Sequence, residues 1–368
     1  MMLNDPLLKA PEGHRFTFDE SAWIRSMFTE SEANRTIVDV GAHKGSVFAQ
    51  FAHKGWTVHA IEPNPPLYKQ LTTEWFDFPR VHIYPVAIHE SERDHSPLFT
   101  SPESDGVTTL EPFLKSHTSQ ISVKTTTLRS LLESIHCRHV DFLKIDAEGL
   151  DYFVLKSYPW EHDRPDVILC EFEDRKTLPL GYKMADMAKF LESHDYAVFV
   201  SEWDPIQQYG GYHTWHRLER FPCDVRSADA WGNLIGLRKG LEREVPLENL
   251  DTYLHRVINV PEIDLSQIRS AHVLLYGAST RGAQVLETVQ EHTEAITFCD
   301  KSTKKQVEGF NGIPVISPDQ IIDLNPDFII ITSSFEKEIF LELDACEIET
   351  NIVFSARGIR GDGHHESH

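Results

Sequence analysis

The sequence predicts an α/β protein: a doubly wound sheet followed by a second, smaller α/β domain of the same construction. Three observations carry this. Short β-rich apolar runs alternate with runs of helical spacing, the pattern of βαβ units. The alternation pauses after Lys239, across a charged stretch holding Pro246 and Pro261, and resumes at His272. Each half opens on a strand that ends in a glycine turn, at Gly41 and at Gly277. The 368 residues are too many for one ordinary domain and comfortable for two. The expected division is a domain over residues 1–240, a linker over 241–266, a second domain over 267–358 and a disordered tail over 359–368.

Taken in order, residues 1–16 are polar and proline-containing, a loose lead-in. Apolar residues from Phe18 to Phe28 have helical spacing. Strands are then expected at Ile37–Val40, Val58–Ile61, Val81–Pro85, Val140–Ile145, Val167–Glu171, Ala197–Ser201 and Asn233–Leu237. Helices are expected from Ser46 to His53, Thr127 to Ser134 and Met184 to Ser193, with a further one around Glu248–Val257. In the second half, HVLLYGAS reads as strand and turn, RGAQVLETVQEH as helix, and AITFCD, DFIIITSS and NIVFSA as strands.

The formal charge is −22, from 35 basic and 57 acidic residues. That balance argues against a nucleic-acid or anionic-membrane partner, whose phosphates are repelled. Five scattered cysteines with no CxxC pair suit free thiols in a reducing cytoplasm. No long apolar segment marks a signal peptide or membrane span. The histidines of the tail GDGHHESH read as solvated rather than metal-binding.

The first glycine turn narrows the ligand. Val38-Asp39-Val40 leads into Gly41-Ala42-His43-Lys44-Gly45-Ser46, and Val58-His59-Ala60-Ile61 ends at Glu62. Glu62 follows Asp39 at about the 20-residue spacing of a ribose-binding acid. The turn lacks the middle glycine of GxGxxG and has Ser46 at the last position, so it departs from the dinucleotide fingerprint. Asp39, two residues ahead of Gly41, disfavours a pyrophosphate and suits a cationic ligand. S-adenosylmethionine has an amino group, a sulfonium, a ribose and no phosphate.

Val123 to Ser157 reads VKTTTLRSLLESIHCRHVDFLKIDAEGLDYFVLKS. With the glycine turn, it resembles the FkbM-family methyltransferases over roughly residues 35 to 240. The likeness rests on Asp39-Val40-Gly41-Ala42, Thr125-Thr126-Thr127-Leu128 and Asp141 to Gly149. His43 stands where that family often has Asn, and Asp151 where Glu is common. The resemblance implies a class I fold with S-adenosylmethionine as cofactor. It implies that Asp39, Gly41, Ala42, Gly45, Glu62, Pro63 and Asn64 hold that cofactor, and that Ala87 in the segment Pro85–Ile88 passes the adenine. Asp146 then sits beside the transferred methyl, and the acceptor is a hydroxyl of a sugar, glycoconjugate or related secondary metabolite.

A hydroxyl acceptor must lose a proton, so a base helps. Asp146, Glu148, Glu171 and Glu173 fall at strand tips. Lys144 points to the same side of its strand as Asp146, either as an ion pair or lowering a hydroxyl's pKa. The stretch Ser201 to Leu218 holds Trp203, Tyr209, His213, Trp215 and His216. It reads as an aromatic platform for a small-molecule or glycan acceptor, with Glu171 beside it and His213 an alternative base. The other reading is a hydrophobic loop that caps the sheet or joins a homodimer. No metal is assigned, although Asp146 with Glu171 or Glu173 offers oxygen ligands of the Mg²⁺ type.

Gly277 and Gly282, with Ser279 between them and Asp300 ending the next strand, make a weak dinucleotide signature. The segment resembles the Rossmann-like C-terminal domain of some sugar C-methyltransferases. Two alternatives to methyl transfer stay open: an NAD(P)- or nucleotide-sugar-dependent enzyme using this domain around Gly277, Ser279, Arg281 and Asp300, and a non-catalytic binding protein.

Overall fold

The computed structural model describes residues 6–11, 15–28, 34–102, 104–206, 213–227, 229–241, 250–257, 263–264, 268–333, 339, 343, 351–354 and 359–360. Contacts divide the chain into two units, Met1–Val257 and Ile258–His368. The first unit begins with β1 (Leu8–Lys9), β2 (Arg15–Phe18), α1 (Glu20–Ser26), β3 (Thr36–Val40), α2 (Ser46–Ala52), β4 (Thr57–Ile61), α3 (Pro65–Glu74) and β5 (Val81–Tyr84). It continues through β6 (Ala87–Ile88), β7 (Arg93–Ser101), β8 (Ser104–Thr109), β9 (Thr118–Thr126), α4 (Leu128–Ser134), β10 (Phe142–Ile145) and α5 (Asp151–Lys156). It closes with β11 (Val167–Glu173), α6 (Asp174–Thr177), α7 (Met184–Ser193), β12 (Tyr196–Trp203), β13 (Trp215–Arg220), β14 (Trp231–Arg238) and β15 (Leu254–Val257).

The main sheet has nine strands in the order β1-β13-β12-β14-β11-β10-β3-β4-β5. From β11 to β5 neighbouring strands are parallel, and β14 runs antiparallel between β11 and β12. Both faces are covered, so the central strands read as nearly continuous apolar runs. Alternate residues of one strand feed opposite cores. Phe142 joins Trp23, Phe48, Phe51 and Leu71 on one face. Leu143 and Ile145 join Leu131, Val154, Met187 and Leu191 on the other. Helix starts follow local chemistry: the Thr127 side chain accepts from Ser130 N at α4, and Pro65 and Pro66 open α3.

Three features differ from the sequence expectation. The segment between β5 and β10 forms a separate four-stranded sheet in the order β6-β9-β7-β8. The helix expected around Glu248–Val257 is a short 3-10 turn, Leu250–Tyr253, followed by β15, because Leu254–Val257 pairs antiparallel with β2. That stretch, expected to belong to a linker, is therefore part of the first unit. Finally, the helix expected from Phe18 starts only at Glu20, capped by Asp19, since Phe18 ends β2.

Glu20 is the polar centre of this N-terminal region. Its Oε1 accepts from Ser201 Oγ at 2.7 Å, Trp203 Nε1 at 2.9 Å and Asn233 Nδ2 at 3.2 Å. Burial pushes its pKa up despite these donors. Glu20→Ala strands three donors, two of them buried, and is expected to lower unfolding free energy by about 3 kcal/mol; Glu20→Gln keeps an acceptor and costs about 1 kcal/mol. Urea denaturation of the two variants checks the difference.

The second unit contains β16 (Ile263–Asp264), β17 (Val273–Tyr276), α8 (Thr280–Val289), β18 (Ile296–Cys299), α9 (Thr303–Glu308), β19 (Val315–Ile316), α10 (Ile321–Leu324), β20 (Phe328–Ile331), β21 (Asn351–Phe354) and β22 (Ile359–Arg360). Its five-stranded sheet runs β19-β18-β17-β20-β21, with every pairing parallel. Ile359–Arg360, placed in the tail by the sequence reading, is a strand paired with β16. Residues 361–368 lie outside the described residues.

Candidate functional site

The strand order of the first unit reverses between β3 and β10. From β3 the chain steps outward to β4 and β5, whereas β10 leads to β11 on the opposite side. Ligands of open α/β sheets bind beyond the strand carboxyl ends at such a switch point. A cleft lies there, lined by Gly41, Ala42, His43, Glu62, Pro63, Ala87, Asp105, Thr109, Lys144, Asp146 and Glu148. Ile61, Leu67, Val86, Ile88 and Leu98 supply its apolar wall.

Close approach of two segments of the chain dictates the glycine turn. Gly41 has φ +73°, and a Cβ added there falls 1.8 Å from the carbonyl oxygen of Asp146. Gly45 has φ +80°, and its Cβ would meet the Phe48 ring at 2.7 Å. The residue after β3 thus rests against the residue after β10. That contact brings Gly41 and Asp146 to one wall of the cleft.

Glu62, at the tip of β4, is buried and aimed by the backbone. His43 N donates to its Oε2 and Asn64 N to its Oε1, each at 2.8 Å. Each carboxylate oxygen keeps a second lone pair for a ligand hydroxyl. Burial pushes its pKa up to about 7, against the two amide donors and Lys144. Donation from ribose hydroxyls favours the ionised form. Affinity for an adenosine ligand should therefore rise with pH up to about 7 and then level off, changing by up to about tenfold per unit below that. Calorimetric titration with S-adenosylhomocysteine across this range checks it, and Glu62→Gln should flatten the profile.

Asp39 does not line the cleft. It is fully buried, behind Lys144. The β3–β10 register puts Lys144 opposite Asp39, so the ammonium lies 3.1 Å from Asp39 Oδ1 and 3.5 Å from Asp146 Oδ2. Lys144 Nζ also donates to Gly41 O at 2.6 Å. Burial raises the Asp39 pKa to about 6, with Lys144 opposing. Burial works against the Lys144 charge too, but Asp39 and Asp146 together outweigh it and hold the ammonium charged. The geometry is that of an ion pair that fixes the glycine turn, with Lys144 at the edge of the cleft.

Beyond Asp146 the floor is acidic. Lys176 Nζ meets Glu148 Oε2 at 2.6 Å, Glu173 Oε2 at 2.8 Å and Glu171 Oε2 at 3.6 Å. Oxygens of Asp146, Glu148 and Glu171 lie within 4.8 Å of one another, and Lys176 is the cation set against two of them. Asp151 ties the turn down by accepting from Ala147 N and Gly149 N. Thus Asp151 organises the loop rather than facing a ligand.

The expected acceptor platform is placed elsewhere. Trp203 and Trp215 are core residues: Trp203 Nε1 donates to Glu20, and Trp215 Nε1 to Ser201 Oγ at 2.8 Å while its ring stacks on Phe18. The reason is that β12 and β13 lie toward the far edge of the sheet and turn these rings into one of its cores. His213 packs edge-on to Trp231, and neither it nor His216 lines the cleft. Tyr209 lies outside the described residues. Gly45 and Asn64 support the cleft from behind, whereas Glu171 is buried beneath its floor.

Sequence reasoning missed the hairpin over the cleft. Asp105 of β8 bridges His43 Nε2 at 3.0 Å and Lys44 Nζ at 2.7 Å. Thr109 Oγ1 donates to Glu148 O at 3.2 Å. The signal was present: Pro102 separates two β-rich runs, Leu98–Thr100 and Val107–Thr109. Lys176 left no comparable signal, because its closest partner, Glu148, lies 28 residues away in a separate segment.

In the second unit the glycine turn is closed by its own residues. Asp300 Oδ2 accepts from Ala278 N at 3.1 Å and Lys305 Nζ at 2.8 Å, and Oδ1 accepts from Ser302 N at 2.9 Å. A Cβ at Gly282 would lie 2.3 Å from Gly277 O, so that glycine serves helix–strand packing.

Comparison with known proteins follows the same division. The family model described as methyltransferase FkbM domain matches residues 39–198. A model described as C2185-like, N-terminal, matches residues 269–354. No curated protein matches the chain. Among solved structures, precorrin-6y C5,15-methyltransferase from Geobacter metallireducens GS-15 is 12% identical, with 61% of this chain and 94% of that chain covered and a TM-score of 0.32. Magnesium protoporphyrin IX methyltransferase from Synechocystis PCC 6803, solved with bound SAH, is 10% identical, with 59% and 79% covered and a TM-score of 0.32. A structure titled as a putative O-methyltransferase from Klebsiella pneumoniae is 12% identical, with 60% and 80% covered and a TM-score of 0.33. Likenesses this weak carry no argument, and the family model does. Residues 39–198 match the model of the methyltransferase FkbM domain, the protein is of the S-adenosylmethionine-dependent methyltransferase class, and S-adenosylmethionine is its cofactor.

Proposed function

We propose that the protein methylates a hydroxyl oxygen of a sugar, glycoconjugate or related secondary metabolite. The observation that carries this reading is the sequence of chemistries along the cleft. Glu62 suits ribose hydroxyls, the apolar wall from Ile61 to Leu98 suits an adenine, and acids at Asp146 and Glu148 suit a donor hydroxyl. The same acids disfavour a pyrophosphate, in keeping with the departure from GxGxxG. S-adenosylmethionine supplies the methyl group: the carbon–sulfur bond breaks with its electron pair kept by sulfur as the acceptor oxygen bonds to the carbon. The protein's share is to position the acceptor, exclude water and take up the hydroxyl proton. Among the described residues no helix is long and apolar enough to cross a membrane. A mass-shift screen of free sugars, methyl glycosides and phenols with isotope-labelled methyl donor tests the reading. Products labelled on oxygen support it; label confined to nitrogen or carbon compounds overturns it.

A further inference from the structure

We infer that Glu148 is the catalytic base of this site and that Lys176 is its positioning residue. The inference rests on the O-methyl transfer proposed above. Glu148 lines the cleft two residues beyond Asp146, where the acceptor side begins. It is held there by backbone strain and by two neighbours. Its φ is +51°, a left-handed conformation that a residue other than glycine keeps only when its surroundings impose it. Thr109 Oγ1 on the hairpin fixes its carbonyl. The Lys176 ammonium fixes carboxylate oxygen Oε2 at 2.6 Å. Oε1 has no hydrogen-bond partner among the described residues, on a side chain that faces the cleft.

Lys176 is held in turn. It is almost fully buried, bound to Glu173 Oε2 at 2.8 Å and near Glu171 Oε2 at 3.6 Å. Its Nζ lies 4.9 Å from the centre of the Phe113 ring. The charged groups facing Glu148 are Lys176 from α6, Asp146 from the loop after β10, Asp151 from α5 and Glu171 from β11. Acids outnumber the one ammonium, so the floor favours taking up a proton over staying fully ionised. Burial is the largest influence and raises the Glu148 pKa to about 7, with Lys176 pulling down and Asp146 pushing up. A base tuned near the working pH is the efficient one. In the reaction the hydroxyl proton passes to Glu148 Oε1. The electron pair of the broken O–H bond becomes the new oxygen–carbon bond, and the proton later leaves to water.

The test uses the full chain labelled with [5-¹³C]glutamate. The carboxyl resonance lost in Glu148→Gln should titrate near 7 in the wild-type protein, and should move upward in Lys176→Met. The Glu148→Gln variant should still bind S-adenosylhomocysteine in calorimetry. With a pool of methyl glycosides as acceptor, its labelled-methyl transfer should fall by about 10²–10⁴-fold. A Glu148 resonance titrating near the ordinary value of about 4.3, or wild-type transfer by the Gln variant, overturns the assignment. Failure of the wild-type protein to bind S-adenosylhomocysteine overturns the methyltransferase reading instead.

Discussion

Replacing Lys144 with methionine should destabilise the first unit by about 3–5 kcal/mol. The substitution removes the cation 3.1 Å from Asp39 and leaves a fully buried carboxylate with no compensating charge. It also removes the donor to Gly41 O that closes the turn. The sign of the pH dependence follows from the raised Asp39 pKa. An acid whose folded-state value lies above its unfolded one favours folding most below the unfolded value, near 3.8, and loses that advantage as pH rises through the folded value, about 6. Without Lys144 the folded value climbs further. The deficit of the variant should therefore be smallest in acid and largest above neutrality. Urea denaturation of Lys144→Met at several pH values reads both effects.

Gly41→Ala should weaken S-adenosylhomocysteine binding by more than about 100-fold, some 2.7 kcal/mol. The added methyl carbon would sit 1.8 Å from the Asp146 carbonyl oxygen, a backbone atom that no rotamer change can move. Relief requires β3 and β10 to part at their carboxyl ends, which displaces Gly41 and Asp146 from the cleft wall. Positive φ adds about 1 kcal/mol of strain. Gly55→Ala is the control. That residue has a similar φ of +84° but nothing within 4 Å of an added Cβ, so it should cost about 1 kcal/mol of stability and leave binding unchanged. Equal binding losses in the two variants would show that generic strain, not the β3–β10 contact, governs the site.

Most parallel strands of both units were legible because their apolar runs are dictated by burial, whereas the two-residue β19 was too short to read. The glycine turn and Glu62 were legible because their spacing is fixed by one βαβ unit. What escaped was set by distant partners. Lys144 reads locally as a neighbour of Asp146, yet the strand register makes Asp39 its closest carboxylate. Trp203 and Trp215 read as an exposed aromatic loop, yet the buried Glu20, from the opposite end of the unit's sequence, gathers their hydrogen-bond network. Residues Leu254–Val257 have helical spacing but take a strand because β2 offers an unpaired edge. Each miss is a tertiary pairing overriding a local pattern.

We propose that the cleft between the ends of β3 and β10 holds the adenosine and amino-acid parts of S-adenosylmethionine. Calorimetric titration of the intact protein with S-adenosylhomocysteine, beside the Glu62→Ala variant, tests it most directly. One-to-one binding is expected, weakened about 100-fold, some 2.7 kcal/mol, when Glu62 is removed. Absence of binding to the folded wild-type protein, or equal affinity in the variant, would contradict it.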